Sequence, residues 1–486
     1  MSKIKLIKKV LANPAIVYTL SRYGTYVIQF INSLFIAVYL GPYYLGIWGF
    51  INLVISYIAQ FNLGISHSVN VFISVNKQDE DYVKQIIGNG MTMVLLLSLA
   101  VLIFLMIEKF GLIPIGDRYD FSKYVLPVTI ITILTHVNGY FSNIFRVFGK
   151  IYAIAINQSL YPIIVLFLIP FFRGENLLWA MLYANSVAFF ISFVLFLIQM
   201  PVRIKPLWNW GLFKFIQIKG WHLFVYNASF YFIILTTNTL ISSNYEVREF
   251  GYYTFSYSLA NVVLLLLNSI SFLIFPKLLN RFAISTNEQI INLLASVRTA
   301  YISLSHLLIH LVIMLFPVFL LFFPSYSESS SVFKFTALTI VLYTNSFGYS
   351  SVLMAKGKER QIALISFGGL ALNVLLAAVL VYCIKVPFSM VILATLNSYL
   401  VYVFILGIYG RKILELKTNF IAVLKDIYPW RMMLPFFFNL IFTFMRLPEI
   451  YFIVPFLLYA FLNFKDMLKI KEVTLRVVKN PNFINI

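Results

Sequence analysis

The chain has 486 residues, 61% of them hydrophobic and 11% charged, with a formal net charge of +20. A water-soluble domain of that composition could not cover its own apolar surface, so lipid must solvate much of it. One cysteine, Cys383, excludes an internal disulfide and any cysteine-ligated metal cluster.

Lys3, Lys5, Lys8 and Lys9 precede a first apolar run without a small-residue cleavage site, so this helix is expected to remain as an anchor. Apolar runs of about twenty residues, without the ten-residue alternation of membrane strands, predict helices rather than a barrel. They fall at 15–38, 44–63, 88–107, 124–145, 151–172, 177–199, 221–242, 251–274, 300–323, 332–354, 362–383, 387–409, 431–446 and 449–463. The last two are short for a full crossing. The fold class expected is therefore an all-α polytopic membrane protein of about 14 transmembrane helices.

The links between these runs are short, and their charges are unequal. Taking links alternately, one side, which holds both termini, carries 28 of the 37 basic residues; the other carries eight, and Arg22 lies inside a helix. Acidic residues divide nine and eight. By the positive-inside rule both termini are expected in the cytoplasm. The basic excess thus reads as topology with some attraction to anionic lipid, and nucleic-acid binding is not expected because no compact basic module carries it. Two inner segments, 64–87 and 412–430, read as surface helices, the second amphipathic.

An internal repeat is visible. Gly41-Pro42-Tyr43-Tyr44-Leu45-Gly46 opens the second helix and Glu249-Phe250-Gly251-Tyr252-Tyr253 the eighth, with Gly251 205 positions after Gly46. Phe148-Gly149-Lys150 and Lys356-Gly357-Lys358 form a second pair of markers, offset by 208. Two markers at nearly one offset predict duplicated six-helix halves, which share one orientation because six is even. The expected organisation is an N-terminal bundle over 1–200, a linker over 201–220 and a second bundle over 221–410. An amphipathic segment, a terminal helix pair and a basic tail fill 411–486.

Arg22 is the exception to the charge pattern. An arginine facing hydrocarbon at a helix centre costs roughly 2.5–3.5 kcal/mol on insertion scales. Two placements relieve that cost: snorkelling to the headgroups, or facing a wet cavity. Tyr26, Gln29 and Ser33 share its helical face. At the repeat offset the seventh helix carries Asn227, Tyr231 and Asn238, again largely polar on one face. Asn52, Ser56 and Gln60 line one face of the second helix, and Ser258, Asn261 and Asn268 that of the eighth. Such stripes either line a cavity or glue helices together. The candidate substrate cavity is therefore Arg22, Tyr26, Gln29, Asn52, Gln60, Asn227, Tyr231, Asn238, Asn261 and Asn268. The guanidinium suits an anionic phosphate, and the amides suit sugar hydroxyls.

Other features read as structural. The aromatic load is chiefly lipid-facing Phe and interfacial Tyr and Trp. His306 and His310 have a metal-ligand spacing but no acidic or thiol neighbour to complete a site. His136 and Asn138 read as packing residues. Gly149-Lys150 and Gly357-Lys358 lack the spacing of a phosphate-binding loop. The apolar runs hold almost no Asp or Glu, which argues against a mechanism built on an intramembrane carboxylate. No cofactor, no metal and no catalytic residue are expected.

The stretch from Ala37 through Gly41-Pro42-Tyr43-Tyr44-Leu45-Gly46-Ile47-Trp48, followed by Asn62-Leu63-Gly64-Ile65, resembles the signature region of Wzx-type polysaccharide flippases. These belong to the multidrug/oligosaccharidyl-lipid/polysaccharide superfamily, and the helix count, repeat and terminal pair extend the likeness along the chain. The resemblance implies two V-shaped bundles working by alternating access. It further implies flipping of undecaprenyl-diphosphate-linked oligosaccharide, such as an O-antigen, capsule or exopolysaccharide unit, to the outer leaflet. The implied partners are the lipid-linked oligosaccharide, membrane lipids and other glycan-assembly membrane proteins. A basic residue in the first helix of related flippases faces the cavity, and Arg22 matches that pattern. Drug and cation antiporters of the superfamily carry an acidic residue there, which this chain lacks. A membrane glycan polymerase or ligase would need a larger outer loop than the longest here, 108–123.

Overall fold

A computed structural model describes residues 14–75, 78–111, 115–202 and 205–468. Within them, the side chains of 14–20, 67, 71, 74, 75, 219, 223, 263, 266–277, 279 and 280 are outside the described set. Asn268, the lysines before Pro14, Asn76, Lys77, Arg203, Lys277 and the basic tail after 468 therefore lie outside the described residues.

Helix α1 (Pro14–Gln60) is broken where Gly41 takes φ 70, ψ 169 and Pro42 follows. Pro42 cannot donate into the preceding turn and Gly41 alone tolerates that backbone, so one apolar run becomes two helices. Its span Ser21–Gln60 has 40 residues, about 60 Å of helix against a hydrocarbon core near 30 Å, enough for two crossings. Then come α2 (Ile65–Val75), α3 (Glu80–Lys109), α4 (Val125–Val147), α5 (Ile151–Leu168), α6 (Gly174–Ile198) and α7 (Trp210–Asn244). The chain continues through α8 (Val247–Ile284), α9 (Asn287–Leu320), α10 (Ser330–Thr344), α11 (Tyr349–Ala355) and α12 (Glu359–Ala378). It ends with α13 (Leu393–Ile413), α14 (Phe420–Ile427), α15 (Trp430–Phe444) and α16 (Ile453–Leu462).

Among the described residues there are no strands, and nine helices are long and apolar enough to cross a membrane. Phe167, Phe190, Leu364, Phe367, Leu375 and Phe461 are more than half exposed, the surface of a protein whose solvent is lipid. The chain is an all-α, multi-pass membrane protein.

Two differences from the sequence reading have local causes. The run 332–354 is split into α10 and α11 because Gly348 takes φ 89 with the Leu294 side chain where a Cβ would sit. The freed carbonyl of Asn345 in that break accepts from Arg298 Nη2 at 2.9 Å. Residues 210–220, read as linker, form the first turns of α7.

The chain divides into two units, Met1–Ala228 and Ser229–Ile486. In the first, α1 packs on α5 and α6, and α4 packs on α3 and α6. Its core joins Ile86, Ile87, Tyr140, Phe141, Ile144, Phe145 and Phe196. The base of α7 belongs to this unit: Ser68 Oγ donates to Ile216 O at 2.8 Å, and Gly64 and Gly220 meet so closely that a Cβ on Gly64 would lie 2.7 Å from Gly220 O.

The repeat markers have matching local structure. Gly149 (φ 74) and Gly357 (φ 68) each end a helix in the left-handed region. Lys150 N donates to Phe145 O and Lys358 N to Leu353 O, both at 2.9 Å, the six-to-one bond of a glycine C-cap.

In the second unit α10 packs on α8, α9 and α13, and α15 pairs with α16. The surface helix α14 is clamped by charge. Asp426 Oδ1 accepts from Arg298 Nη1 at 2.9 Å, and Asp426 Oδ2 accepts from Arg411 Nη1 at 2.7 Å and from the Tyr349 hydroxyl. A second pair, Lys334 with Glu449 at 2.7 Å, ties α10 to the link before α16. Removing one partner of a buried pair leaves an unpaired charge. Asp426→Ala is expected to destabilise the purified protein by about 3 kcal/mol, read as a lower melting temperature in detergent. Glu80→Ala, in a solvent-exposed pair with Lys84, should leave that temperature unchanged.

Candidate functional site

The site starts from one ionic group that the fold cannot leave in hydrocarbon. Arg22 lies near the start of α1, half-buried, and finds its partners on its own helix and on α5. Its Nη1 donates to Gln158 Oε1 and its Nη2 to Tyr26 Oη, each at 2.5 Å, with the guanidinium carbon 4.7 Å from the Tyr26 ring centroid. Further bonds hold α1 against α5: Thr25 and Ser159 hydroxyls at 2.6 Å, and Asn32 Nδ2 to Pro162 O at 2.7 Å. Rising residue numbers pair with rising numbers, so the two helices run parallel here. A guanidinium has five N–H donors, and these two side-chain bonds use two of them.

Arg22 and Gln29 line a cavity of about 350 Å³ inside the first unit. Thr135, Asn138, Gly139 and Ser142 of α4 form one wall, Asn157, Gln158, Tyr161 and Pro162 of α5 another, and Phe189, Ser192 and Phe196 of α6 the third. No carboxylate lines it. Both polar atoms of the Asn157 amide and Oδ1 of Asn138 are buried without a protein hydrogen bond. An unsatisfied buried polar group costs about 1–3 kcal/mol, so this lining favours water or a hydroxyl-bearing ligand.

A second cavity, about 180 Å³, opens at the C-terminal end of α4. Gln60, Asn62, Ser66, Asn70, Asn143, Arg146 and Asn227 are its polar lining, and again no carboxylate is present. Ser142 of the first cavity and Asn143 of the second are consecutive residues.

The expected site residues are placed as follows. Arg22, Tyr26 and Gln29 come together around the first cavity. Gln60 and Asn227 come together in the second. Asn52 Nδ2 is turned back to Trp48 O of its own helix at 2.7 Å. Tyr231, Asn238 and Asn261 belong to the second unit, where Asn238 Oδ1 accepts from Tyr253 Oη at 2.7 Å and Tyr231 is 40% exposed. Gln158, Asn157, Ser142 and Asn143 escaped the sequence reading, and Asn138 was read as packing. Their signal was there: Asn157-Gln158-Ser159 interrupts an apolar helix, and Thr135, Asn138 and Ser142 share a face.

His306 and His310 are buried. His306 Nε2 lies 3.3 Å from Asn345 Oδ1, and His310 Nδ1 lies 2.7 Å from Asn439 Nδ2. Tyr459 lies beside both rings. Among the described residues no group of three His, Cys, Asp or Glu is placed to hold a metal.

The first cavity thus combines one guanidinium with amides and hydroxyls and has no carboxylate in its lining. The family model of polysaccharide biosynthesis proteins matches residues 11–282, more than half of the chain. The chain belongs to this family. Its fold is similar to that of an inward-facing multidrug resistance MATE family transporter of the MOP superfamily (TM-score 0.65, 13% identity, 84% of this chain and 99% of that one). It is similar to the lipid II flippase MurJ in an inward closed conformation (TM-score 0.62, 12% identity, 95% and 100%). It also resembles a MOP superfamily transporter from Pyrococcus furiosus whose description records a binding pocket of reversed polarity (TM-score 0.54, 14% identity, 83% and 96%). A search of curated proteins gave no significant match. These likenesses show the fold, which is that of MOP-superfamily transporters and of the flippase MurJ.

The cavity's hydration is open to test because Cys383 is the only cysteine. In a Cys383→Ser background, cysteine at Ser142 is expected to react with a water-soluble maleimide, whereas cysteine at the buried Val137 should not.

Proposed function

We propose that the protein flips an undecaprenyl-diphosphate-linked oligosaccharide, an O-antigen, capsule or exopolysaccharide unit, from the inner to the outer leaflet of a bacterial inner membrane by alternating access. The observation that carries this reading is Arg22: a guanidinium held by two neutral groups at the edge of a carboxylate-free, amide-lined cavity, in a chain of the polysaccharide biosynthesis family. A glycan headgroup cannot cross hydrocarbon unaided, because each hydroxyl or phosphate would lose its hydrogen bonds. Its prenyl tail can stay in lipid while the head passes through a wet cavity. Arg22 would meet the diphosphate with paired charge-assisted bonds, and Asn157, Asn138 and Gln29 would replace water around the sugars. Both termini would be cytoplasmic, on the charge asymmetry of the links.

The fold similarity to a MATE transporter favours a second reading, drug or cation export. A cation would need a counter-charge, and neither cavity is lined by one. The flippase reading is therefore preferred.

Arg22→Ala is expected to abolish surface glycan while membrane insertion and yield stay normal, and Arg22→Lys to restore it only in part, since lysine loses the planar fork. Normal surface glycan in the alanine variant, read by gel electrophoresis of cell-surface polysaccharide, would refute the site. Reporter fusions at both termini, active only in the cytoplasm, should both be active.

A further inference from the structure

The cavity at the end of α4 is chemically unlike the one at Arg22. About 180 Å³ is below the roughly 300–1,000 Å³ of cavities that enclose a whole ligand, so it takes one part of a larger molecule. Five of its seven polar lining residues carry a side-chain amide, a group type that can both donate to and accept from sugar hydroxyls. The amides are also positioned in advance. Asn70 and Asn143 pair at 2.9 Å, and Arg146 donates to the Asn143 amide oxygen, so the guanidinium is aimed by neutral partners. The close approach of Gly64 and Gly220 brings the base of α7 against α2, and Asn227 of α7 completes the lining.

Both cavities draw residues from α4, Ser142 for the first and Asn143 for the second. From Asn138 to Arg146 the helix rises about 12 Å, longer than a diphosphate and within reach of a diphosphate carrying one or two sugar rings. We propose that this second cavity is a saccharide subsite, which holds the first sugar of the headgroup while its phosphate is at Arg22. The assignment rests on the flippase reading and deepens it. Asn227 and Gln60 recognise the ring hydroxyls there, Asn143 aims Arg146, and Arg146 sets a preference for a neutral or acidic sugar over an amino sugar carrying a free cation.

The test compares two lipids on the purified full chain by native mass spectrometry: undecaprenyl diphosphate, and the same lipid bearing one N-acetylglucosamine. The wild type is expected to bind the sugar-bearing lipid about tenfold more tightly. Asn227→Leu, which disturbs no bond to Arg146, should remove that preference, and Gln60→Leu should do the same. Melting curves on both variants confirm folding. Equal affinities in the wild type, a preference that survives Asn227→Leu, or an equal loss for both lipids would each overturn the subsite. Arg22→Ala separates this from the function itself. It should weaken both lipids alike, and unchanged binding of both would sink the phosphate role of Arg22 without touching the sugar preference.

Discussion

An ionised guanidinium within a membrane bundle must find hydrogen-bond partners, and the partners it finds decide what it is for. Arg22 bonds Gln158 and Tyr26, both neutral. These bonds link α1 to α5, and the hydroxyl pair Thr25–Ser159 and the Asn32–Pro162 bond reinforce the same contact. The buried cations of the second unit are treated differently. Arg298 and Arg411 share Asp426, and Lys334 takes Glu449. Those pairs cancel charge and fasten helices. Arg22 is oriented without being neutralised, and its field remains available to a ligand.

The same division runs through the polar residues of the first unit. Some are committed to the fold: Asn52 closes back on Trp48, and Ser68 stitches α2 to α7. Others have nothing to bond within the protein, as with Asn157 and the carbonyl of Asn138 at the first cavity. Burying an amide and leaving it unmet is unfavourable, so such atoms accumulate where water or a ligand completes them. The cavity is thus defined as much by missing partners as by its walls.

The fold was largely legible because its signals are local. Apolar length sets the helices, and Gly149 and Gly357 mark the repeat through a backbone geometry that glycine alone adopts without strain. The break at Gly348 was missed because an apolar run gives no sign of a left-handed glycine inside it. The site was only partly legible. The face carrying Arg22, Tyr26 and Gln29 follows from helical spacing, but which helix would answer Arg22 is a matter of tertiary packing. A repeat-based argument pointed to α7 and α8, whereas the bond to Arg22 comes from α5. Helical periodicity says which residues share a face; it cannot say which other face they meet.

Under the proposed function, the choice of arginine constrains the transport cycle. A carboxylate site in an antiporter can release its cargo by taking up a proton, because its charge can be switched off. The cavity at Arg22 has no carboxylate in its lining, so release there rests on contacts rather than on such a switch. Under the proposed function, an anion bound there leaves only when its other contacts are withdrawn or water replaces them. The neutral partners make this feasible, since Gln158 and Tyr26 orient the guanidinium without cancelling its charge. Movement that pulls the α4 amide of Asn138 away from the headgroup would weaken its hold while leaving Arg22 paired with Gln158 and Tyr26.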